Sequence, residues 1–364
     1  MKVFLDLIDL FCGLVTIPSE SGEEGEFIDF IRRMIEEEFS ASSQNDAFGN
    51  LILRIPGKHS LRSTPLLFGM HADTVSPGRG IVPVVENGVV RSDGTTILGA
   101  DDKAGIAEFI IALRRARNRP PIELVLTREE ERGLVGSRNL DYSLIKSKEG
   151  FVLDMDNPSS IVIGGPTKIN LDISIQGKAA HAGMEPEKGI SAIKAAAMAI
   201  ALLPDGRVDA GTTCNIGTII GGENRNSVPE KALLQVEVRS LDHEKAVGLE
   251  QRFRKTFQDA AASIGADANI VSTVSYRATT IAEDSGVVLA AASALRKAGL
   301  EPLCQAIVGG TDASIYNEHG IACVVLGMGA RKEHTKEEHI FVAEMEQCVA
   351  IIETLLEDYA ENPD

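Results

Sequence analysis

The stretch Leu98-Gly99-Ala100-Asp101-Asp102-Lys103-Ala104-Gly105 sets two adjacent carboxylates in a glycine-bounded turn. The turn leads into Ile106, Phe109, Ile110 and Leu113, apolar positions at helical spacing. A carboxylate at such a place is either a helix cap or a ligand. Asp102 suits the cap, which leaves Asp101 among small residues that let other groups come close. The same event recurs along the chain: a short apolar run ends, and a residue able to bind metal follows. Residues 65–70 end on His71, 122–126 lead to Glu130 or Glu131, 151–153 end on Asp154, and a loop after 321–326 reaches His334. The carboxyl ends of strands line the ligand crevice in open α/β sheets. A single histidine after a strand is usually a structural hydrogen-bonder, and Glu129-Glu130-Glu131 alone could be a solvated loop. Their recurrence with Asp101 favours a metal centre.

His71 and Asp73 lie two apart, so on extended backbone they project to one side. His71 can then ligate while Asp73 orients a neighbouring group. Two histidines with three carboxylates suit two divalent ions that share one carboxylate. Asp101, Glu131 and Asp154 would offset three of the four positive charges, and a hydroxide the last. Glu130 is then the free carboxylate, a general base that takes a proton from water and hands it to a leaving amine.

The elements that must position these residues alternate between strand and helix. Residues 3–14 and 26–39 read as helices, 50–55 as a strand and 81–90 as a hairpin turning at Asn87-Gly88. The composition changes near Gly164-Gly165-Pro166. Strand 169–175, helix 190–203, strands 212–220 and 232–239, helix 243–264 and strand 269–276 then form a split βαβ arrangement. Helix and strand alternate again to the last helix. The expected fold is α/β: a catalytic domain with a mixed, mostly parallel sheet covered by helices, from residues 1–165 and 279–364. An inserted α+β domain of βαββαβ, ferredoxin-like type, is expected over residues 166–278; its role as lid and dimerisation domain is what a family resemblance, carried by motifs along the chain, implies.

A chain of 364 residues exceeds one ordinary core. A net charge of −17 argues against nucleic acid or an anionic membrane as partner. No window approaches the ~18 apolar residues of a membrane span. Asp6 and Asp9 interrupt the apolar N-terminus at helical spacing, so an amphipathic helix is expected there rather than a signal peptide. Five scattered cysteines without a CxxC point to a reduced, cytoplasmic protein.

From about Thr16 to the last helix, the chain resembles the di-zinc peptidase family that includes peptidase T, aminoacylases and glutamate-releasing carboxypeptidases. The resemblance rests on His71-Ala72-Asp73, Gly99 to Gly105, Thr127 to Gly133, Leu153-Asp154, Gly177 to His181, Gly309-Gly310-Thr311-Asp312 and His334 to Glu338. It is closest to the peptidase T branch at Leu98 to Ala107 and Gly309 to Asp312. It implies that His71, Asp101 and Asp154 hold one zinc and that Asp101, Glu131 and His334 hold the other. Asp101 is the bridge, and the Asp101–Asp102 peptide is cis. It further implies Glu130 as general base, Asp73 as the residue that orients the ligands, and His339 as no ligand.

In the inserted domain, the resemblance implies that His181 reaches a partner subunit's active site to bind the substrate's carbonyl or carboxylate, within a homodimer. A loop histidine facing water is the plainer reading. Asn226 and Arg239 are similar to the family's substrate-binding residues, although a surface salt bridge explains Arg239 equally well. Val308 stands where peptidase T usually has arginine before Gly-Gly-Thr-Asp, a departure that leaves tripeptide specificity open within a tripeptidase-like reading. The expected activity is a zinc-dependent exopeptidase that removes the N-terminal residue of short peptides, with cobalt or manganese acceptable to the same donors. The alternatives are a metal-dependent amidohydrolase of N-acyl amino acids and, remotely, a non-catalytic binding protein.

Overall fold

The strand Leu66–His71 is buried at every position. A continuous apolar run takes this form where both faces of a sheet are covered. In the computed structural model, which describes residues 6–363, this strand runs parallel to Ile122–Thr127 on one side and Glu149–Met155 on the other. The strand Ala322–Gly327 extends the parallel set beyond Glu149–Met155. Leu51–Ile55 and Ser42–Asn45 continue the opposite side antiparallel, and Ser160–Gly165 pairs antiparallel with Ala322–Gly327.

Register puts the strand ends at one level. His71 pairs with Thr127, and Gly69 pairs with Val152, so His71 and Asp154 each lie two residues past a matched pair. Helix Ala100–Arg115 packs on this sheet, with the Phe68 and Phe109 rings 4.8 Å apart and Phe68 and Phe151 5.7 Å apart. Asp101 and Asp102 have non-helical backbone at its start, and the peptide between them is cis. The hairpin is Pro83–Glu86 and Val89–Ser92. Asn87 and Gly88 both take positive φ at its turn, as a tight hairpin of this kind requires.

The chain divides into two compact units, with Gly164–Thr279 and Ile307–Gly309 in the second and all else in the first. The second unit is a five-stranded antiparallel sheet in the order Gly206–Asp209, Thr212–Gly221, Lys231–Ser240, Thr167–Gln176, Asp267–Tyr276. Ile169, Leu171, Ile173 and Ile175 alternate onto one face and share a core with Ala195, Ala199, Phe253 and Phe257 of helices Ala192–Ile200 and His243–Ser263.

Several features depart from the sequence reading. Ser42–Asn45 carries no apolar residue, and Ser160–Gly165 lies where the composition change suggested a boundary; both are strands. Of the expected helix 3–14, residues 3–5 lie outside the described residues; the helix runs Leu7–Val15, with Asp6 accepting from Asp9 N. Asp102 does not cap its helix: one carboxylate oxygen accepts from His71 N at 3.2 Å instead. Among the described residues, no helix is long and apolar enough to cross a membrane.

Gly105 lets this helix approach the Asp154 strand. A Cβ there would come within 2.4 Å of Asp102 Oδ1 and 2.8 Å of Leu153 O. Gly105→Ala is therefore expected to destabilise the metal-free protein by about 1–3 kcal/mol in denaturant unfolding, as overpacking of a close contact does. Unchanged stability would contradict this packing.

Candidate metal centre

Asp101 leaves the turn with its two carboxylate oxygens facing different imidazoles. Oδ1 lies 2.9 Å from His71 Nε2, and Oδ2 lies 3.2 Å from His334 Nε2. Asp154 Oδ1 is 3.8 Å from His71 Nε2, and Glu131 Oε1 is 2.8 Å from His334 Nε2. Ligating atoms of His71, Asp101 and Glu131 lie within 4.8 Å of one another. The five side chains anticipated as ligands are thus drawn together, from three strand ends and two loops. His339, set aside from the sequence, instead places Nδ1 2.8 Å from Glu337 O.

The donor chemistry fits cations. His71 Nδ1 sits 2.9 Å from the carbonyl oxygen of Asp73. A carbonyl can only accept, so Nδ1 holds the proton and a neutral ring turns its Nε2 lone pair toward Asp101. That contact needs a positive charge, either a second proton or a metal ion. His334 Nε2 faces two carboxylate oxygens and has one proton at most. Glu131 Oε1, buried beside it, lacks the alignment of a hydrogen bond despite the short distance.

Protonation responds to this crowding. Burial opposes a charged His71, but the hydrogen bond and charge of Asp101 prevail and push its pKa well up. Burial likewise opposes ionisation of Asp101, yet His334 and His71 hold its carboxyl below the usual range. His334 is raised to about 10, first by Asp101 and then by Glu131. Asp154 and Glu130 are pushed up by burial first, then by Asp101 and by Asp154 respectively.

Asp73 holds the periphery together. Its carboxylate accepts from Glu130 N at 2.9 Å, from Glu131 N at 3.2 Å and from Ser21 Oγ at 2.6 Å, and Oδ1 is 3.5 Å from His71 Nδ1. Glu130 is buried, in the short helical turn Glu130–Arg132 that follows strand Ile122–Thr127. Asp312 braces the end of that strand, accepting from Thr127 Oγ1 at 2.5 Å.

The peptidase dimerisation domain matches residues 166–264, and peptidase family M28 matches residues 50–179. Protein YqjE of Bacillus subtilis (strain 168) is 37% identical over 97% of this chain and 98% of its own. The crystal structure of aminopeptidase PepT from Bacillus cereus is 36% identical, with a TM-score of 0.88 and 98% of each chain covered. The chain belongs to the M20 peptidase family, in its peptidase T-like branch. A tripeptidase from Staphylococcus aureus is 32% identical, with a TM-score of 0.91, and covers 97% of this chain and 98% of its own. As an M20 peptidase, the protein is a hydrolase with a candidate metal site.

His181, Asn226 and Arg239 lie in the second unit. His181 is exposed, and its Nδ1 accepts from Gly183 N and Met184 N at 3.2 and 3.1 Å, which leaves Nε2 as the donor. Asn226 O accepts from Ala182 N at 2.9 Å, so the His181 and Asn226 loops are neighbours. The Arg239 guanidinium forks onto Glu237 at 3.0 and 3.3 Å, so a substrate carboxylate would compete with that pair. Residue spacing alone does not point to Glu338, the last residue of the stretch His334 to Glu338. It binds main chain at Asp101, and a buried acid that grips main chain has no signal in residue spacing.

In the metal-free protein, His334 stays protonated until the pH passes about 10, above the ordinary histidine value of about 6.5. The stability its imidazolium pairs contribute is therefore complete below about pH 6.5 and is lost as pH rises through about 10. A divalent ion must displace that proton. Calorimetric titration of zinc into chelator-treated protein is expected to show proton release. Affinity should rise about tenfold per pH unit for each proton displaced between about pH 6 and about pH 8. PH-independent affinity without proton release would contradict protonated imidazoles here.

Proposed function

We propose that the protein is a zinc-dependent exopeptidase that hydrolyses the N-terminal peptide bond of short peptides, with two divalent ions sharing Asp101. The observation that carries this reading is the Asp101 carboxylate between two imidazoles, at 2.9 and 3.2 Å. His71, Asp101 and Asp154 would hold one ion, and Asp101, Glu131 and His334 the other. Ions bound there would supply Lewis acidity and lower the pKa of a nearby water.

The side chains do the rest. The Glu130 carboxylate takes the proton of the attacking water and returns it to the leaving amine. Burial, which raises its pKa, brings it closer to a pH at which one group can do both. Asp73 fixes ligand and base together, because its carboxylate holds the main chain of Glu130 and Glu131 and stands beside the His71 ring. Burial of the Asp73 carboxyl works against its charge, but the His71 contact outweighs it and keeps its pKa low. Residues 1–165 and 279–364 act as the catalytic domain and 166–278 as lid and dimerisation domain. The match to a peptidase dimerisation domain supports a homodimer. There the His181 Nε2–H donates to the substrate's carbonyl or carboxylate oxygen, and Asn226 and Arg239 bind the substrate. Five free cysteines fit a reducing cytoplasm.

Glu130→Gln is expected to keep its metal content and lose about 10²- to 10⁴-fold in kcat, the usual weight of a general base. Near wild-type turnover would remove Glu130 from that role. On di- and tripeptides with free or acylated amino termini, the exopeptidase reading predicts turnover of the free series. Preference for the acylated series would favour an N-acyl amino acid amidohydrolase. Light scattering is expected to show a dimer, and a fully active monomer would exclude His181 from a neighbouring site.

A further inference from the structure

Glu338 is 1% exposed, and its carboxylate accepts from four main-chain N–H groups beside the centre. Its Oε2 accepts from Leu98 N and Gly99 N, both at 2.8 Å. Its Oε1 accepts from Ala100 N at 2.8 Å and Asp101 N at 3.2 Å. These four consecutive N–H groups form the turn that enters helix Ala100–Arg115, whose own N-cap residue, Gly99 at φ 71°, has no side chain to satisfy them. Buried helix ends need such a partner. Here it comes from 237 to 240 residues away.

The segment that carries Glu338 also carries His334, whose Nε2 is 3.2 Å from Asp101 Oδ2. One short stretch therefore holds Asp101 twice, by its main-chain N–H and by its carboxylate. The stretch is itself anchored. Glu338 N donates to Thr335 O at 3.1 Å, and His339–Phe341 pairs antiparallel with Val89 to Arg91. The grip on the turn thus comes from sheet pairing and does not depend on an ion.

We infer that Glu338 is a positioning residue that fixes the Leu98–Asp101 turn before metal arrives, so that both oxygens of Asp101 are already aimed at His71 and His334. What it positions rests on the two-ion reading proposed above; the four bonds do not. Glutamine cannot replace it, because its amide nitrogen would meet two N–H donors and lose both bonds. Aspartate keeps the charge and acceptors with a reach shorter by one methylene, so it should rescue in part.

The test is Co2+ titration into the 364-residue chain after chelator treatment, for the wild type, Glu338→Gln and Glu338→Asp, with thermal unfolding of each metal-free chain. Glu338→Gln is expected to weaken Co2+ binding roughly 10- to 100-fold, the scale of groups that hold ligands in place, with Glu338→Asp in between. A lowered thermal midpoint with unchanged Co2+ affinity would reduce Glu338 to a structural cap and overturn the inference. Amide hydrogen exchange of the metal-free wild type decides the matter if the variants do not fold. Slow exchange at Leu98 to Asp101 is expected, and fast exchange that slows only with Co2+ would overturn preorganisation. A wild-type chain that takes up no Co2+ would refute the two-ion reading instead, and exchange at the four amides would still judge the grip of Glu338.

Discussion

Negative charge gathered around one carboxylate, Asp101, is the constraint on which the rest of the structure depends. Asp101, Asp154, Glu130 and Glu131 converge in a largely buried space, and the available counter-charges are the imidazoles of His71 and His334. Like charges brought together out of water are costly unless a positive centre joins them. Protons on the two histidines can serve at neutral pH, as their raised pKa values express. Divalent ions would serve the same end with more charge and with Lewis acidity. The chemistry proposed here and the stability of the site therefore have one electrostatic origin.

The fold meets this constraint by holding acids through main-chain N–H groups rather than through basic side chains. Asp73 grips Glu130 N and Glu131 N, and Glu338 grips four amides at the start of the Asp101 helix. Backbone donors are fixed in place and add no competing cation. Lys103, the buried cation of the same turn, is directed elsewhere. Its Nζ donates to Ile17 O at 2.7 Å and lies 4.7 Å from the Phe27 ring centroid. Burial brings its pKa down to about 7. The parallel strands then align His71 and Asp154 by register alone.

Much of this was legible in the sequence because strand ends advertise themselves. A short apolar run followed by histidine or an acid marks both the element and the end at which such side chains can converge, as His71, Asp154 and Glu131 do. The alternation of Ile169 to Ile175 likewise marked the inserted sheet, since a half-covered strand must alternate. What stayed hidden depends on contacts between distant segments. Ser42–Asn45 is polar and joins the sheet only because Leu51–Ile55 offers it an edge. Asp102 has the composition of a cap, but Glu338 takes the amides and Asp102 turns to His71 N. No spacing rule links residue 338 to residue 98.

Crystals grown with zinc and measured at its absorption edge test the shared carboxylate most directly. Sharing by Asp101 predicts two anomalous peaks about 3.5–4 Å apart, each about 2.0–2.2 Å from a different oxygen of that side chain. His71 and Asp154 would complete one ion, and His334 and Glu131 the other. A single peak, or Asp101 turned away with no ion between His71 and His334, would contradict it.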